Sequence, residues 1–253
     1  MNGKDLRLRR LLPHDDSRLF AVPLDHSLSL GPIPGLEDLS RQAVALQDAG
    51  ARLLIVHKGA SRQVLPVLRP QTALGIHLSA STSMAPPGER KRLTGSVREA
   101  VRLGADVVSA QVNFGEPGEG AMLEDLARLT REAEELGVPL LCMAYVRARG
   151  HENDPAYLAH ACRAVCDLGA DLVKTNFPGP EGFRQMVRTT PVPLLVGGGP
   201  RLEEPDQFLE VVRQALGAGA RGICVGRNLF QSGDLPTLGK DLRRLLGTPA
   251  EGP

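Results

Sequence analysis

Four short segments, Ala49-Gly50-Ala51-Arg52, Leu103-Gly104-Ala105-Asp106, Leu168-Gly169-Ala170-Asp171 and Ala218-Gly219-Ala220-Arg221, each run into an apolar, β-branched stretch. This echo constrains the fold more than any other feature of the chain. A glycine just past a helix end supplies the left-handed residue that stops the helix. The apolar stretch behind it reads as a buried strand. Extending the pattern places strands at 19–25, 52–57, 73–78, 106–112, 139–145, 171–176, 193–197 and 222–226. Helical periodicity falls between them, over 36–49, 96–103, 120–136, 155–168, 204–217 and 236–246. The segment after the second strand is the exception, because Pro66 and Pro70 interrupt it. Eight strands with helical crossovers predict an α/β fold, a single-domain (β/α)₈ TIM barrel, with an open doubly wound sheet as the alternative. The 253 residues suit one such barrel, and no linker or low-complexity stretch divides them. One domain is expected over residues 1–253.

Composition narrows the function. Thirty basic residues face 29 acidic ones, so the chain lacks the positive excess of a nucleic-acid binder. The longest apolar stretches, such as residues 52–56, are too short to cross a bilayer. The first residues have neither the apolar core nor the small-residue cleavage site of a signal peptide. A cytoplasmic protein is expected, with no nucleic-acid or membrane partner. Four cysteines in so long a chain make no disulfide framework. Cys162 and Cys166 share a helix face and read as small buried side chains rather than a metal pair.

In a barrel, chemistry sits where strands end and the following loops begin. That rule selects a short set of residues. Gly198, Gly199 and Gly226 close the seventh and eighth strands, where their backbone can approach a phosphate and Arg227 can add a charged fork. Lys174 ends the sixth strand. Poor solvation there would lower its pKa and free a nucleophilic amine, while a lysine paired with a carboxylate would occupy the same position. Lys58 is its competitor; Lys4, Lys91 and Lys240 read as surface lysines. Tyr145 ends the fifth strand, placed either to move a proton or to pack in the core. Asp25, beside His26, is a general base, an anchor for hydroxyls or a cap for the next loop. His26, His57 and His77 close three successive strands, so a zinc site is weighed, although Lys58 beside His57 argues against it.

At these positions the sequence resembles the archaeal-type class I aldolases. The matching segments are Val22-Pro-Leu-Asp-His26, Gly31-Pro-Ile33, His57-Lys-Gly59, His77-Leu-Ser79, Leu103-Gly-Ala-Asp106, Asp171-Leu-Val-Lys-Thr175, Gly198-Gly-Pro200 and Val225-Gly-Arg-Asn-Leu-Phe230. The resemblance implies a barrel that forms a Schiff base with a phosphorylated ketone and uses no metal or other cofactor. By motif, Lys174 takes the Schiff-base role, Tyr145 donates protons, and Asp25 handles protons and substrate hydroxyls with His26 beside it. Gly198, Gly199, Gly226 and Arg227 take the phosphate. The resemblance also implies a homo-oligomer, a pentamer or decamer.

Within the family, Met143 stands where fructose-bisphosphate aldolases tend to carry tryptophan. That points to the aminoheptulosonate synthase branch, serving aminohydroxybenzoate or aromatic amino acid biosynthesis. The donor is then dihydroxyacetone phosphate or a deoxyketohexose phosphate, and the acceptor L-aspartate 4-semialdehyde. Arg147, or else Arg149, is placed to pair with the acceptor carboxylate. The loop Tyr145-Val-Arg-Ala-Arg-Gly150 and Ser27 both depart from the family pattern. Fructose-bisphosphate aldolase remains the nearest alternative. A metal-dependent barrel hydrolase, a sugar-phosphate isomerase using Asp25 and Tyr145, and a non-catalytic phosphometabolite-binding barrel are the others.

Overall fold

The computed structural model describes residues 2–86 and 90–247. Its centre is a closed ring of eight parallel strands: β1 (Leu19–Pro23), β2 (Leu53–Val56), β3 (Ala73–His77), β4 (Val107–Phe114), β5 (Leu140–Val146), β6 (Leu172–Thr175), β7 (Leu194–Gly197) and β8 (Gly222–Cys224). β1 closes the ring by pairing Leu19 with Gly222 of β8 and Ala21 with Leu53 of β2. The fold is therefore the expected barrel and not the open sheet. The long crossover helices lie where the periodicity put them. The weak segment after β2 is a single turn, Ser61–Val64, running into a 3₁₀ turn at Leu65–Val67, as its prolines dictate.

Alternation along the strands makes two separate apolar layers. Leu19, Ala21, Leu53, Ile55, Val107, Leu141, Leu172 and Leu195 point inward and fill the barrel. Their neighbours Phe20, Val22, Leu54, Val56, Val108 and Val173 point outward and pack under the helices. Inward positions near the strand ends are polar, so the filled interior opens into a mouth.

The repeated segments work as expected and do more. Gly50, Gly104, Gly169 and Gly219 all have positive φ, between 89° and 102°. The residue that follows each Gly-Ala pair ties the entry of its strand to neighbouring backbone. Asp106 accepts the Leu74 amide at 3.0 Å and Asp171 accepts that of Leu140 at 2.8 Å. Arg52 and Arg221 donate to the carbonyls of Gln71 and Ser17.

A helix at Gly3–Leu11, outside the expected set, closes the opposite end of the barrel. Asn2 and Asp5 exchange capping hydrogen bonds of 3.0 Å, and Leu8 and Leu11 pack on the inner layer. Lys4 is consequently no surface lysine. It is buried, with its ammonium 2.6 Å from Glu134 and 3.1 Å from Asp171. Further elements outside the expected set are the short helices His26–Leu30 and Arg227–Phe230, the helix Pro180–Thr189, and a two-stranded ribbon pairing Ser79–Ala80 with Arg92–Leu93 beside the mouth.

Candidate active site

The period of two along each strand decides which end residues face the interior. On β6, Leu172 is in the inner layer, so Lys174 points the same way, above it. Tyr145 follows Leu141 and Met143 on β5 by the same count. On β2, Ile55 faces in, which aims His57 inward and Lys58 outward. Lys58 lies outside the barrel and binds Glu99 at 3.0 Å. It is no competitor for Lys174.

The inward residues meet in a cavity of about 400 Å³ at the C-terminal mouth. Asp25, His26, Tyr145, Arg147, Lys174, Gly198, Gly199, Gly226 and Arg227 all line it. Arg149 does not. Sequence reasoning missed Lys91, which reaches into the same cavity from the start of the ribbon and donates to the Ser29 hydroxyl at 3.4 Å. It reached Ser79 and Asn176 as strand-end residues without giving them a role, and it missed Gln111 and Cys224. The inward parity of Gln111 on β4 and Cys224 on β8 was a usable signal; nothing local marked Lys91.

Lys174 is 7% exposed. Gly197 gives it room, since a Cβ there would lie 3.4 Å from the lysine Cε and 3.8 Å from the Tyr145 hydroxyl. Burial disfavours the ammonium, but Tyr145, Cys224 and Asp25 outweigh it and hold the lysine above its ordinary pKa. This corrects the expectation of a lowered pKa: a lysine between a phenol, a thiol and a carboxylate is not simply desolvated. Phenols and thiols carry negative charge only in alkaline solution, so at neutral pH the counter-charge is Asp25.

Asp25 precedes a short helix (His26–Leu30) but makes no side-chain capping bond, which removes its capping role. Burial works against its charge; His77, His26, Lys174 and His57 together override that and keep the carboxyl below the usual range. Its oxygens lie 3.4 Å from His26 Nδ1 and 3.8 Å from His77 Nε2. His77 is pushed down to about 4 by burial, and its Nδ1 sits 2.7 Å from the Ser109 hydroxyl. His57 Nδ1 contacts the His77 carbonyl at 3.2 Å. The three histidines thus surround a carboxylate. Among the described residues no three His, Cys, Asp or Glu side chains are disposed to hold a metal ion, so the zinc reading gains no support.

Across the mouth, the loops after β7 and β8 are locked together. Arg227 donates to the Gly199 carbonyl at 2.8 Å, and buried Asn228 donates to Gly198 at 2.9 Å and Pro200 at 3.2 Å. A Cβ on Gly226 would fall 2.7 Å from His26 Cε1, so only glycine fits between the histidine and the loop. On the far side the Arg147 guanidinium stacks over Tyr145, 5.0 Å from the ring centre.

A barrel whose mouth holds a buried lysine between a tyrosine and a carboxylate has the parts for covalent carbonyl chemistry. Residues 19–232 match the model of the DeoC/LacD family aldolases. The chain belongs to that family. It is 41% identical over 247 residues to a 2-amino-4,5-dihydroxy-6-oxo-7-(phosphonooxy)heptanoate synthase of Streptomyces griseus, covering 96% of this chain and 90% of the relative. A 2-amino-3,7-dideoxy-D-threo-hept-6-ulosonate synthase of Halobacterium salinarum is 38% identical over 231 residues, covering 90% and 86%.

Among solved structures, a Schiff base-forming fructose-1,6-bisphosphate aldolase superimposes with a TM-score of 0.87 at 28% identity, over 97% of this chain and 100% of its own. An archaeal fructose-1,6-bisphosphate aldolase whose catalytic lysine is covalently bound to the carbinolamine intermediate gives 0.86 at 28%, over 97% and 99%. This DeoC/LacD protein is accordingly an enzyme, a class I aldolase or synthase. The hydrolase, isomerase and non-catalytic readings fall with that assignment.

Proposed function

We propose that this aldolase joins dihydroxyacetone phosphate to L-aspartate 4-semialdehyde through a Schiff base on Lys174. The observation that carries the reading is the buried Lys174 with Asp25 as counter-charge, in one cavity with the glycine-rich loops after β7 and β8 and with Arg147. The relative from Streptomyces supports the substrate pair by chemistry alone. The heptanoate in its name disconnects between C4 and C5 into a three-carbon ketone phosphate and a four-carbon amino acid aldehyde. A deoxyketohexose phosphate is the alternative donor.

The surroundings that favour positive charge on the Lys174 nitrogen also favour the iminium formed from it. Nζ first gives up a proton, with Asp25 as acceptor, and adds to the donor carbonyl carbon; that proton and a second from the nitrogen pass to the carbonyl oxygen, which leaves the carbinolamine as water and gives the iminium. The iminium draws electrons as a proton leaves the adjacent carbon, and the enamine so formed attacks the aldehyde carbon. Water then releases the ketone product and frees the amine. Tyr145, whose hydroxyl lies beside the lysine, moves the proton, and Asp25 holds donor hydroxyls and assists dehydration. Gly198, Gly199, Gly226 and Arg227 hold the phosphate, His26 borders it, and Arg147 receives the acceptor carboxylate. Fixing both ends brings the reacting carbons into an attack geometry. We further propose a cytoplasmic homo-oligomer; no helix among the described residues is long and apolar enough to cross a membrane.

The test offers dihydroxyacetone phosphate with aspartate semialdehyde and with glyceraldehyde 3-phosphate. The seven-carbon amino acid phosphate should form with the higher kcat/KM. Preference for glyceraldehyde 3-phosphate, or ready cleavage of fructose 1,6-bisphosphate, would place the enzyme with the fructose-bisphosphate aldolases instead.

A further inference from the structure

The charge lining the mouth is more positive than one phosphate requires. Lys91, Arg147, Lys174 and Arg227 line the cavity, whereas Asp25 is the single carboxylate among the described residues that line it. With the histidines neutral, the excess is three positive charges. A phosphate monoester at neutral pH answers about two of them. One remains, and its place is not beside Arg227.

Lys91 and Arg147 account for it. Among the described residues neither has a carboxylate within ion-pair distance. Among the described residues the Lys91 ammonium reaches the Ser29 hydroxyl and the Arg147 guanidinium the face of Tyr145. Lys91 is half-buried, and its ammonium is disfavoured first by burial and further by Arg147, against the opposing pull of Asp25 and Glu116. Lys91, half-buried, and Arg147, exposed at the rim, line one cavity and repel each other until an anion arrives. They enter from different elements: Lys91 from the ribbon (Ser79–Ala80 with Arg92–Leu93), Arg147 from the turn after β5. Neither belongs to the locked loops of β7 and β8.

We infer that Lys91 and Arg147 form a second anion subsite that selects aldehydes bearing a carboxylate. Resting on the function proposed above, this adds a specificity residue that no strand-end rule marks. A carboxylate group bears one negative charge, which suits the single cation left over, whereas a second phosphate would exceed it; the α-ammonium of aspartate semialdehyde must then face away from both cations. The acceptor is thereby held at the end away from its carbonyl, which leaves the aldehyde free to meet the enamine.

Lys91→Met and Lys91→Gln are compared with wild type, using dihydroxyacetone phosphate as donor. The acceptors are aspartate semialdehyde, succinate semialdehyde, propanal and glyceraldehyde 3-phosphate. The quantity read is the ratio of kcat/KM for each charged aldehyde to that for propanal. In both variants the ratio for the two carboxylate aldehydes should fall about 10- to 150-fold, mostly through KM, as expected for one charge-assisted contact. Lys91→Arg should restore most of it. A role confined to holding the ribbon would lower all acceptors together, leave the ratio unchanged, and overturn the inference. So would a fall confined to glyceraldehyde 3-phosphate. Failure of wild type to use any aldehyde would overturn the proposed function itself, an outcome distinct from an unchanged ratio.

Discussion

Single residues at this site are defined by which face of a strand they occupy. Lys174 and Lys58 are equivalent as strand-end lysines, and only parity separates them: Leu172 faces in and carries Lys174 with it, while Ile55 faces in and turns Lys58 out. That distinction was available in the sequence by counting. Lys91 was not, because its approach to the mouth depends on a ribbon formed by residues a dozen apart. The direction of the Lys174 pKa was equally illegible, since burial acts against the facing phenol, thiol and carboxylate and only tertiary structure sets their balance. Tyr145 allows a sharp test at this scale. Its hydroxyl is placed to move a proton rather than to form the bond. Tyr145→Phe should therefore keep the covalent adduct with dihydroxyacetone phosphate yet lower kcat by about 10²–10⁴-fold. A phenylalanine variant with wild-type turnover would assign that proton to another group.

At the level of elements, the barrel was legible because its signal is local and repeated. Each helix end, glycine and strand start recurs, and four positive-φ glycines with their following Asp or Arg show why the repeat has that form. Every expected strand end lies within two residues of the observed one. What escaped notice lacks a repeated pattern. The helix Gly3–Leu11 is short and rich in arginine, and its one clear mark is the Asn2 and Asp5 cap. The helix Pro180–Thr189 is marked by Pro180 at its start and by Phe183 and Met186 on its buried face. The ribbon has only two residues on each side, too few for any alternation to show. Yet these minor elements matter: one closes the floor of the barrel and another carries Lys91 to the mouth.

The molecule as a whole concentrates its titratable burial around one carboxylate, which makes its stability depend on acidity. An unfolded histidine gains its proton below about pH 6.5, but His77 in the folded barrel resists it until about 4. Between those values the unfolded chain binds the extra proton, so stability falls as pH falls. His26 and His57 are shifted in the same direction and deepen the loss. Asp25, held ionised below the usual carboxylate range, adds its share in more acidic solution. Denaturant unfolding between about pH 7 and pH 4.5 should show a loss of roughly 2–3 kcal/mol from His77 alone. His77→Asn should flatten that dependence; a variant as acid-sensitive as wild type would locate the effect elsewhere.

All of this serves one covalent bond, and that bond can be observed directly. The enzyme is incubated with dihydroxyacetone phosphate, reduced with borohydride, digested, and its modified peptide identified by mass. A reduced adduct should appear on Lys174 and be abolished in Lys174→Met. An adduct on Lys58 or Lys91, or no adduct under conditions where the enzyme turns over, would contradict a Schiff base on Lys174.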